Sequence, residues 1–329
     1  MLTRGWRVLL VGCGELGSRH LQAVARLAGV RDLDVVDPRA EALNVGRSRL
    51  AEVPDRAEDI VVRWHTTLEE ATPGADLCIV ATQAQGRCQL VKRIAHELGI
   101  RSFLIEKLIG QSVDEIEDLL AHVKTAGLSV WVNCKTRTYA IHQQIKSCLQ
   151  PGDPIQMSVI GGNHGLANNG VHAADLFAFY DGAESIEPAE AVINPIVHRT
   201  KRGQCDLSGT LIGRTIHGSR FVLSYAGDHD QQELISVVTA HHRWLIDHFQ
   251  RWMMESERTS GWVWRSVPFT EHTLVSHMTK TFAHDILTTG HCTLPLLETA
   301  ATAHRFILGV LQPHFSRLLD QPLELCPVS

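Results

Sequence analysis

A short apolar run turns directly into a glycine-rich bend: Trp6-Arg7-Val8-Leu9-Leu10-Val11-Gly12-Cys13-Gly14-Glu15-Leu16-Gly17. A strand that ends in G-x-G-x-x-G and reopens as a helix is compatible with few folds. Gly12 permits the tight turn, Gly14 lets backbone approach a pyrophosphate, and Gly17 lets the helix pack closely on the strand. The N–H groups at the helix start then face the phosphates, where the helix dipole favours negative charge. A second run, Leu33-Asp34-Val35-Val36, ends in Asp37. That carboxylate follows Gly17 by about twenty residues, the spacing at which such folds bind a ribose 2′-hydroxyl.

Beyond Asp37 the chain keeps a strand–helix rhythm. A helix is expected over 15–28, with Leu16, His20, Val24 and Leu27 near one face. Another is expected over 40–51, a strand over 61–64, and a short helix at 68–71 closed by Pro73-Gly74. Strand four covers 76–82, a helix runs over 87–98 to Gly99, and strand five covers 102–107. Ser112-Val113-Asp114-Glu115 reads as a capping box, and strand six covers 128–133. This alternation implies a doubly wound parallel sheet.

The rhythm breaks at Pro151-Gly152-Asp153-Pro154. Beyond it come a strand at 155–160, helical spacing at 171–180, and strand-like runs at 209–216, 220–225, 233–240 and 243–249. Helices are expected near 273–287 and 294–311. The fold class is therefore α/β: an N-terminal Rossmann domain over 1–135 and a C-terminal α+β domain over 136–329 with an open, mainly antiparallel sheet. A sheet with one uncovered face is expected to bury it in an oligomer.

Composition narrows the function classes. The chain has 329 residues, 44% of them hydrophobic and 20% charged, with a net charge of −5. That balance offers no general attraction to nucleic acid. Its eight cysteines are scattered without a C-x-x-C pair, so no zinc site or disulfide framework is expected, and reduced thiols in a cytoplasm fit best. No apolar run approaches the roughly 20 residues of a membrane span. The N-terminal apolar stretch feeds the glycine bend and is not read as a signal peptide. The late histidines, His241-His242, His272, His277 and His284, lack the i, i+4 ligand spacing, so no metal is expected.

Several later stretches carry chemistry. Strand five ends in Glu106-Lys107, strand six in Asn133-Cys134-Lys135-Thr136-Arg137. Then come Gly161-Gly162-Asn163-His164 and Asn168-Asn169-Gly170-Val171-His172-Ala173-Ala174-Asp175. This ordered set resembles the glucose–fructose oxidoreductase, inositol dehydrogenase and rhizopine-catabolism family (Gfo/Idh/MocA). Its members carry E-K-P after strand five and a D-x-x-x-H element that often continues as H-x-x-D. The stretch from Cys292 through His304-Arg305, with Asn133-Cys134 and Asn169-x-x-His172, resembles a branch associated with bacterial surface-sugar clusters.

The resemblance implies a catalytic lysine at Lys107 and a catalytic histidine at His172. It also implies dimers or tetramers built through the second sheet. Two positions depart from the pattern. Leu108 stands in place of the proline, removing a φ constraint and with it the favoured cis bond. Asn168 stands in place of the aspartate, so an amide replaces a carboxylate. A third difference is Arg87, where the family often has a histidine.

Alcohol oxidation by a nicotinamide needs a hydride acceptor and a proton acceptor together. A histidine suits the latter, and a lysine at a strand end can donate to the oxygen that gains charge. Asn168, Asn169, Asp175 and Arg137 are the candidate substrate contacts, although Asn-Asn-Gly equally signals a turn. Gly12, Cys13, Gly14, Glu15, Leu16, Gly17, Asp37, Arg39, Thr82, Gln83, Glu106 and Lys107 are the candidate cofactor contacts. Asp37 favours NAD by repelling a 2′-phosphate, whereas Arg39 offers that phosphate a partner, so NADP stays open. The expected activity is hydride transfer between NAD(P) and a hydroxyl or ketone carbon of a sugar or nucleotide sugar. Two rivals stand beside it: a same-fold enzyme acting on a cyclitol or imine, and a nucleotide-binding sensor that has lost catalysis.

Overall fold

The computed structural model describes residues 5–57, 59–162, 165–199, 203–269 and 273–329. Asn163, His164 and His272 lie outside them. The chain divides into two units. One comprises Met1–Gly110, Glu115–Asn133 and His272–Leu297; the other comprises Gln111–Asp114, Cys134–Glu271 and Glu298–Ser329.

The first unit holds a six-stranded parallel sheet in the order β3-β2-β1-β4-β5-β6. Its strands are β1 (Trp6–Val11), β2 (Val30–Val36), β3 (Val61–His65), β4 (Leu77–Val80), β5 (Ser102–Ile105) and β6 (Ser129–Val132). β4 is apolar throughout and β5 and β6 nearly so, which is the pattern of strands covered on both faces. Strand order reverses between β1 and β4, and ligands of open α/β sheets bind beyond the strand ends at such a switch. Helices α2 (Ala40–Ala51) and α3 (Arg87–Leu98) occupy the expected residues; α4 covers Val113–Ala126.

Helix α1 is shorter than its periodicity predicts, Gly17–Val24 rather than 15–28. Residues 15 and 16 are spent on the glycine bend. At the other end Gly29, at φ +93°, turns the chain into β2, and its carbonyl already accepts the Trp6 N–H. β2 therefore starts at Val30, ahead of the apolar run that signalled it.

A late helix, α7 (Val275–Thr289), belongs with the first unit instead of the domain expected over 136–329. Its Phe282, Ala283 and Ile286 join Leu21, Val24 and Leu27 in one hydrophobic core. The α7 pattern says that it is amphipathic; which apolar face it seeks is a tertiary matter.

The second unit is built on an eight-stranded sheet, β14-β13-β12-β11-β7-β10-β9-β8. The anticipated strands are β7 (Gln156–Gly162), β9 (Cys205–Arg214), β10 (Arg220–Ala226), β11 (Leu234–Val238) and β12 (His242–Asp247). β7 sits centrally, parallel to β10 and antiparallel to β11, so the meander is interrupted by one crossover. Three strands gave no sequence signal: β8 (Glu187–Arg199), β13 (Trp252–Glu257) and β14 (Arg265–Pro268). β8 contains Pro188 and Pro195, which argue against a strand. Yet β8 is an edge strand, and Pro195 falls in a register shift between Ile193 and Val197, where a missing N–H costs nothing.

Against this sheet lie α5 (Ala140–Cys148), α6 (Gly170–Asp181) and α8 (from Leu297 to Leu318). Phe177 of α6 stacks on Phe221 of β10, which meets Phe306 of α8 edge-on. Along α6 only His172 and Phe179 escape full burial. Helix α8 runs through Pro313, past the expected end, although that proline withdraws a backbone donor.

Two glycines provide a contrast. A Cβ on Gly17 would stand 1.9 Å from the Gly12 carbonyl oxygen, whereas one on Gly309 meets nothing within 4 Å. In denaturant titrations, Gly17→Ala should lose about 1–3 kcal/mol through overpacking. Gly309→Ala in exposed helix should gain up to about 1 kcal/mol.

Candidate active site

In the first unit the bend after β1 lies tight against β4. Gly12 has φ +89°, and a Cβ there would fall 2.9 Å from Ala81 and Thr82 backbone atoms. Gly14 differs: an added Cβ would meet only the tip of Arg39, at 3.4 Å. The bend is thus closed toward the protein at Gly12 and Gly17 and open at Gly14, where a pyrophosphate would approach. The buried Thr82 Oγ1 has no hydrogen-bond partner among the described residues, a second feature that fits a bound cofactor.

Asp37 is only 2% exposed. Its Oδ2 accepts the Cys13 N–H at 2.8 Å, and its Oδ1 accepts the Arg39 N–H at 3.0 Å. The Arg39 side chain adds two bonds of 3.2 Å while remaining largely exposed. The Asp37 carboxylate therefore ties the glycine bend to the end of β2. The Cys13 thiol is pushed up to about 12 by burial and by the charge of Asp37, so this residue contributes backbone and not a nucleophile. Glu15 pairs with Arg49, whose guanidinium also reaches the Glu15 carbonyl and Ser18 Oγ. Leu16 and Gln83 are exposed at the ends of the bend and of β4.

At the end of β5 the structure departs from expectation in two ways. The side chain of Glu106, a candidate cofactor contact, is 3% exposed and turned inward, which leaves only its backbone to such a contact. Its Oε1 accepts Asn133 Nδ2 at 2.5 Å and His20 Nε2 at 2.8 Å; His20 Nδ1 lies 2.9 Å from Thr279 Oγ1 on α7. Burial alone would raise the Glu106 carboxyl, but the His20 and Asn133 bonds outweigh it and hold the group below the usual carboxylate range. The second departure is that the Lys107–Leu108 peptide is cis, although leucine stands where a proline would favour that form. Lys107 is half-buried.

In the second unit Arg137 and Asp175 meet one another. Nε and Nη2 of Arg137 donate to the two carboxylate oxygens at 2.7 Å each, and Nη2 also reaches the Asp175 carbonyl at 3.1 Å. Both side chains are buried, and the guanidinium lies 5.1 Å from the Phe179 ring centroid. Burial pushes the Asp175 carboxyl up to about 6 against the pull of Arg137. The fork that the sequence offers to a substrate anion is therefore engaged within the unit, where it locks the Lys135–Thr138 turn to α6.

Asn168 and Asn169 precede α6 and are half-buried. Asn169 is the N-cap residue, but its side chain makes no capping bond. The turn is held instead by Asp206 of β9, which sequence reasoning passed over. Asp206 Oδ1 accepts the N–H of Ala167 at 2.9 Å and of Leu207 at 2.8 Å, and Oδ2 accepts that of Asn168 at 2.9 Å. A Cβ on Gly165 would lie 1.8 Å from Asp206 Oδ2, so glycine is required opposite it. No local pattern marks an aspartate in a strand as the cap of a turn about forty residues earlier. Asp206→Asn presents an N–H₂ where an acceptor is needed. It should cost about 1–3 kcal/mol in denaturant titrations and loosen the turn, read as faster amide exchange at residues 166–169.

Residues 6–134 match the family model described as an oxidoreductase family with an NAD-binding Rossmann fold, Gfo/Idh/MocA. No curated protein matches the sequence. Among solved structures, UDP-N-acetylglucosamine 3-dehydrogenase GnnA from Acidithiobacillus ferrooxidans superposes with TM-score 0.70 at 15% identity, over 96% of each chain. KijD10, a 3-ketoreductase from Actinomadura kijaniata solved with TDP-benzene and NADP, gives 0.69 at 15% identity, over 92% of this chain and 96% of that one. An oxidoreductase from Agrobacterium radiobacter, in complex with NAD+, L-tartaric acid and magnesium, gives 0.71 at 14% identity, over 92% and 94%. At these identities the likeness is one of fold. Over residues 6–134 the chain matches the Gfo/Idh/MocA oxidoreductase family model, and the likeness of fold to these solved structures extends over more than nine-tenths of its length.

Proposed function

We propose that the protein is an NAD(P)-dependent oxidoreductase that moves a hydride between the nicotinamide and a hydroxyl- or ketone-bearing carbon of a nucleotide-linked sugar. The observation that carries this reading lies within one unit: a glycine bend open only at Gly14, anchored by Asp37, on the sheet whose fifth strand ends at Ile105, two residues before Lys107. Two neighbours of this fold support the substrate class, one being a UDP-N-acetylglucosamine 3-dehydrogenase and the other a 3-ketoreductase solved with a TDP compound.

When bound, the nicotinamide supplies the hydride acceptor. Glu15 and Leu16 would offer backbone N–H groups to the pyrophosphate, and Asp37, which already accepts the Cys13 N–H, would take the adenosine ribose. Lys107 donates to the alcohol oxygen and holds the charge that develops there. His172 accepts the hydroxyl proton, and in ketone reduction the same groups act in reverse. Asn168 and Asn169 bind substrate hydroxyls, while Arg137 and Asp175 hold the backbone from which substrate contacts are made.

The open face of the second sheet carries Ile160, Val192, Ile196 and Leu234, all exposed. We assign it to a homodimer or homotetramer interface. No disulfide joins any of the eight cysteines, which fits a cytoplasmic enzyme.

The test is turnover of UDP-N-acetylglucosamine, other UDP-, TDP- and GDP-sugars, myo-inositol and a cyclic imine with NAD+ or NADP+. Lys107→Met and His172→Ala should each lower kcat by about 10²–10⁴-fold, leaving NADH affinity within about twofold by fluorescence titration. NADH binding without turnover on every substrate would favour the sensor reading, and preference for the imine or inositol would move the substrate class.

Cofactor choice gives a separate expectation. Arg39 already neutralises Asp37, so the barrier to a 2′-phosphate is modest. Asp37→Ala should cut the NAD over NADP ratio of kcat/KM about tenfold or more, and Arg39→Ala should raise it. Unchanged ratios in both variants would place the discrimination elsewhere.

A further inference from the structure

Arg87 opens α3 directly after Gly86, which is at φ +69°. Its side chain is among the largest fully buried in the protein. Buried arginines ordinarily answer a carboxylate. This one gives its terminal nitrogens to backbone carbonyls: Nη1 donates to Glu106 O at 2.6 Å and to Leu108 O, and Nη2 donates to Thr82 O. Burial draws the guanidinium down to about 10, which still leaves it charged near neutrality. The Glu106 charge helps keep it so.

The three carbonyls are not a random set. Thr82 follows β4, while Glu106 and Leu108 are the residues on either side of Lys107. One planar fork therefore pins the peptide before Lys107, the peptide after Leu108, and the neighbouring strand end. From the other side, the Glu106 carboxylate is fixed by His20 and Asn133. A lysine side chain is long and flexible, so the backbone sets the place from which its amine starts.

We propose that Arg87 is the positioning residue for Lys107, holding the backbone on both sides of it so that the amine meets the reacting oxygen. This rests on the role given to Lys107 above. A lysine in place of Arg87 brings a point charge that does not reproduce the three-carbonyl fork.

The experiment is a double-mutant cycle on the full-length protein, using UDP-N-acetylglucosamine and NAD+, or the pair from the panel with the fastest turnover. Arg87→Met should lower kcat by about 10–100-fold with KM for NAD+ little changed, and Arg87→Lys should recover only part of the loss. In the Lys107→Met background the same Arg87 change should alter residual turnover by less than about twofold, because the group it positions is gone. Hydrogen exchange over residues 106–110 reports the anchoring without substrate. Exchange there should accelerate in Arg87→Met, and in the milder Arg87→Lys if the methionine variant does not fold. The proposal is overturned if Arg87→Met turns over normally while Lys107→Met does not, if the loss is equal in both backgrounds, or if exchange over 106–110 is unchanged. A fully active Lys107→Met would instead sink the role of the lysine, and this inference with it.

Discussion

The first unit depends on a close approach that only glycine permits. The Gly12 carbonyl lies where a side chain on residue 17 would begin, and the Gly12 backbone lies against Ala81 and Thr82. Those two contacts bring the end of β1, the start of α1 and the end of β4 together within van der Waals distance. The cradle at Gly14 exists because its neighbours are packed that tightly; a looser bend would leave no defined surface for a pyrophosphate. Asp37 then joins β2 to the same bend through the Cys13 N–H, so one carboxylate serves both the architecture and the expected ribose site.

A second physical theme is the use of buried charge to hold backbone instead of opposite charge. Asp206 binds two backbone N–H groups of the turn that leads into α6 and that of its neighbour Leu207, and Arg87 binds the carbonyls on either side of Lys107 and that of Thr82. A charged group in a low-dielectric interior makes strong hydrogen bonds, and each such bond fixes a peptide that regular secondary structure leaves unpaired. Glu106 and the Arg137–Asp175 pair do related work between side chains. Residues expected to face a ligand can thus be the ones that make the ligand-facing backbone rigid.

Much of this was legible in the sequence, for reasons that can be named. The glycine bend, β1 through β6 and the helices between them are written in local periodicity and turn chemistry, and α2 and α3 fall where the pattern places them. What escaped depended on distant partners. β8 carries two prolines that count against a strand until its edge position and register shift are known. α7 reads as one more helix of the second half, because nothing in its own residues says that its apolar face completes a core begun at Leu21. Asp206 and Arg87 went unassigned as anchors for the same reason: a carboxylate in a strand and an arginine at a helix start carry no local mark of the backbone groups they will bind.

The departures from the family pattern look different once those anchors are seen. Leucine at position 108 replaces the proline that would stiffen the backbone there, yet Arg87 holds the carbonyls on both sides of Lys107. Asparagine at position 168 removes a carboxylate from the turn before α6, yet Asp206 brings one to the backbone of that same residue. In each case a local feature expected from the motif is absent while a long-range buried charge secures the neighbouring backbone. A motif read along the chain records which residues are present. The geometry those residues need can be supplied from elsewhere in the fold, so a missing letter weakens a functional reading only after the surrounding hydrogen bonds have been counted.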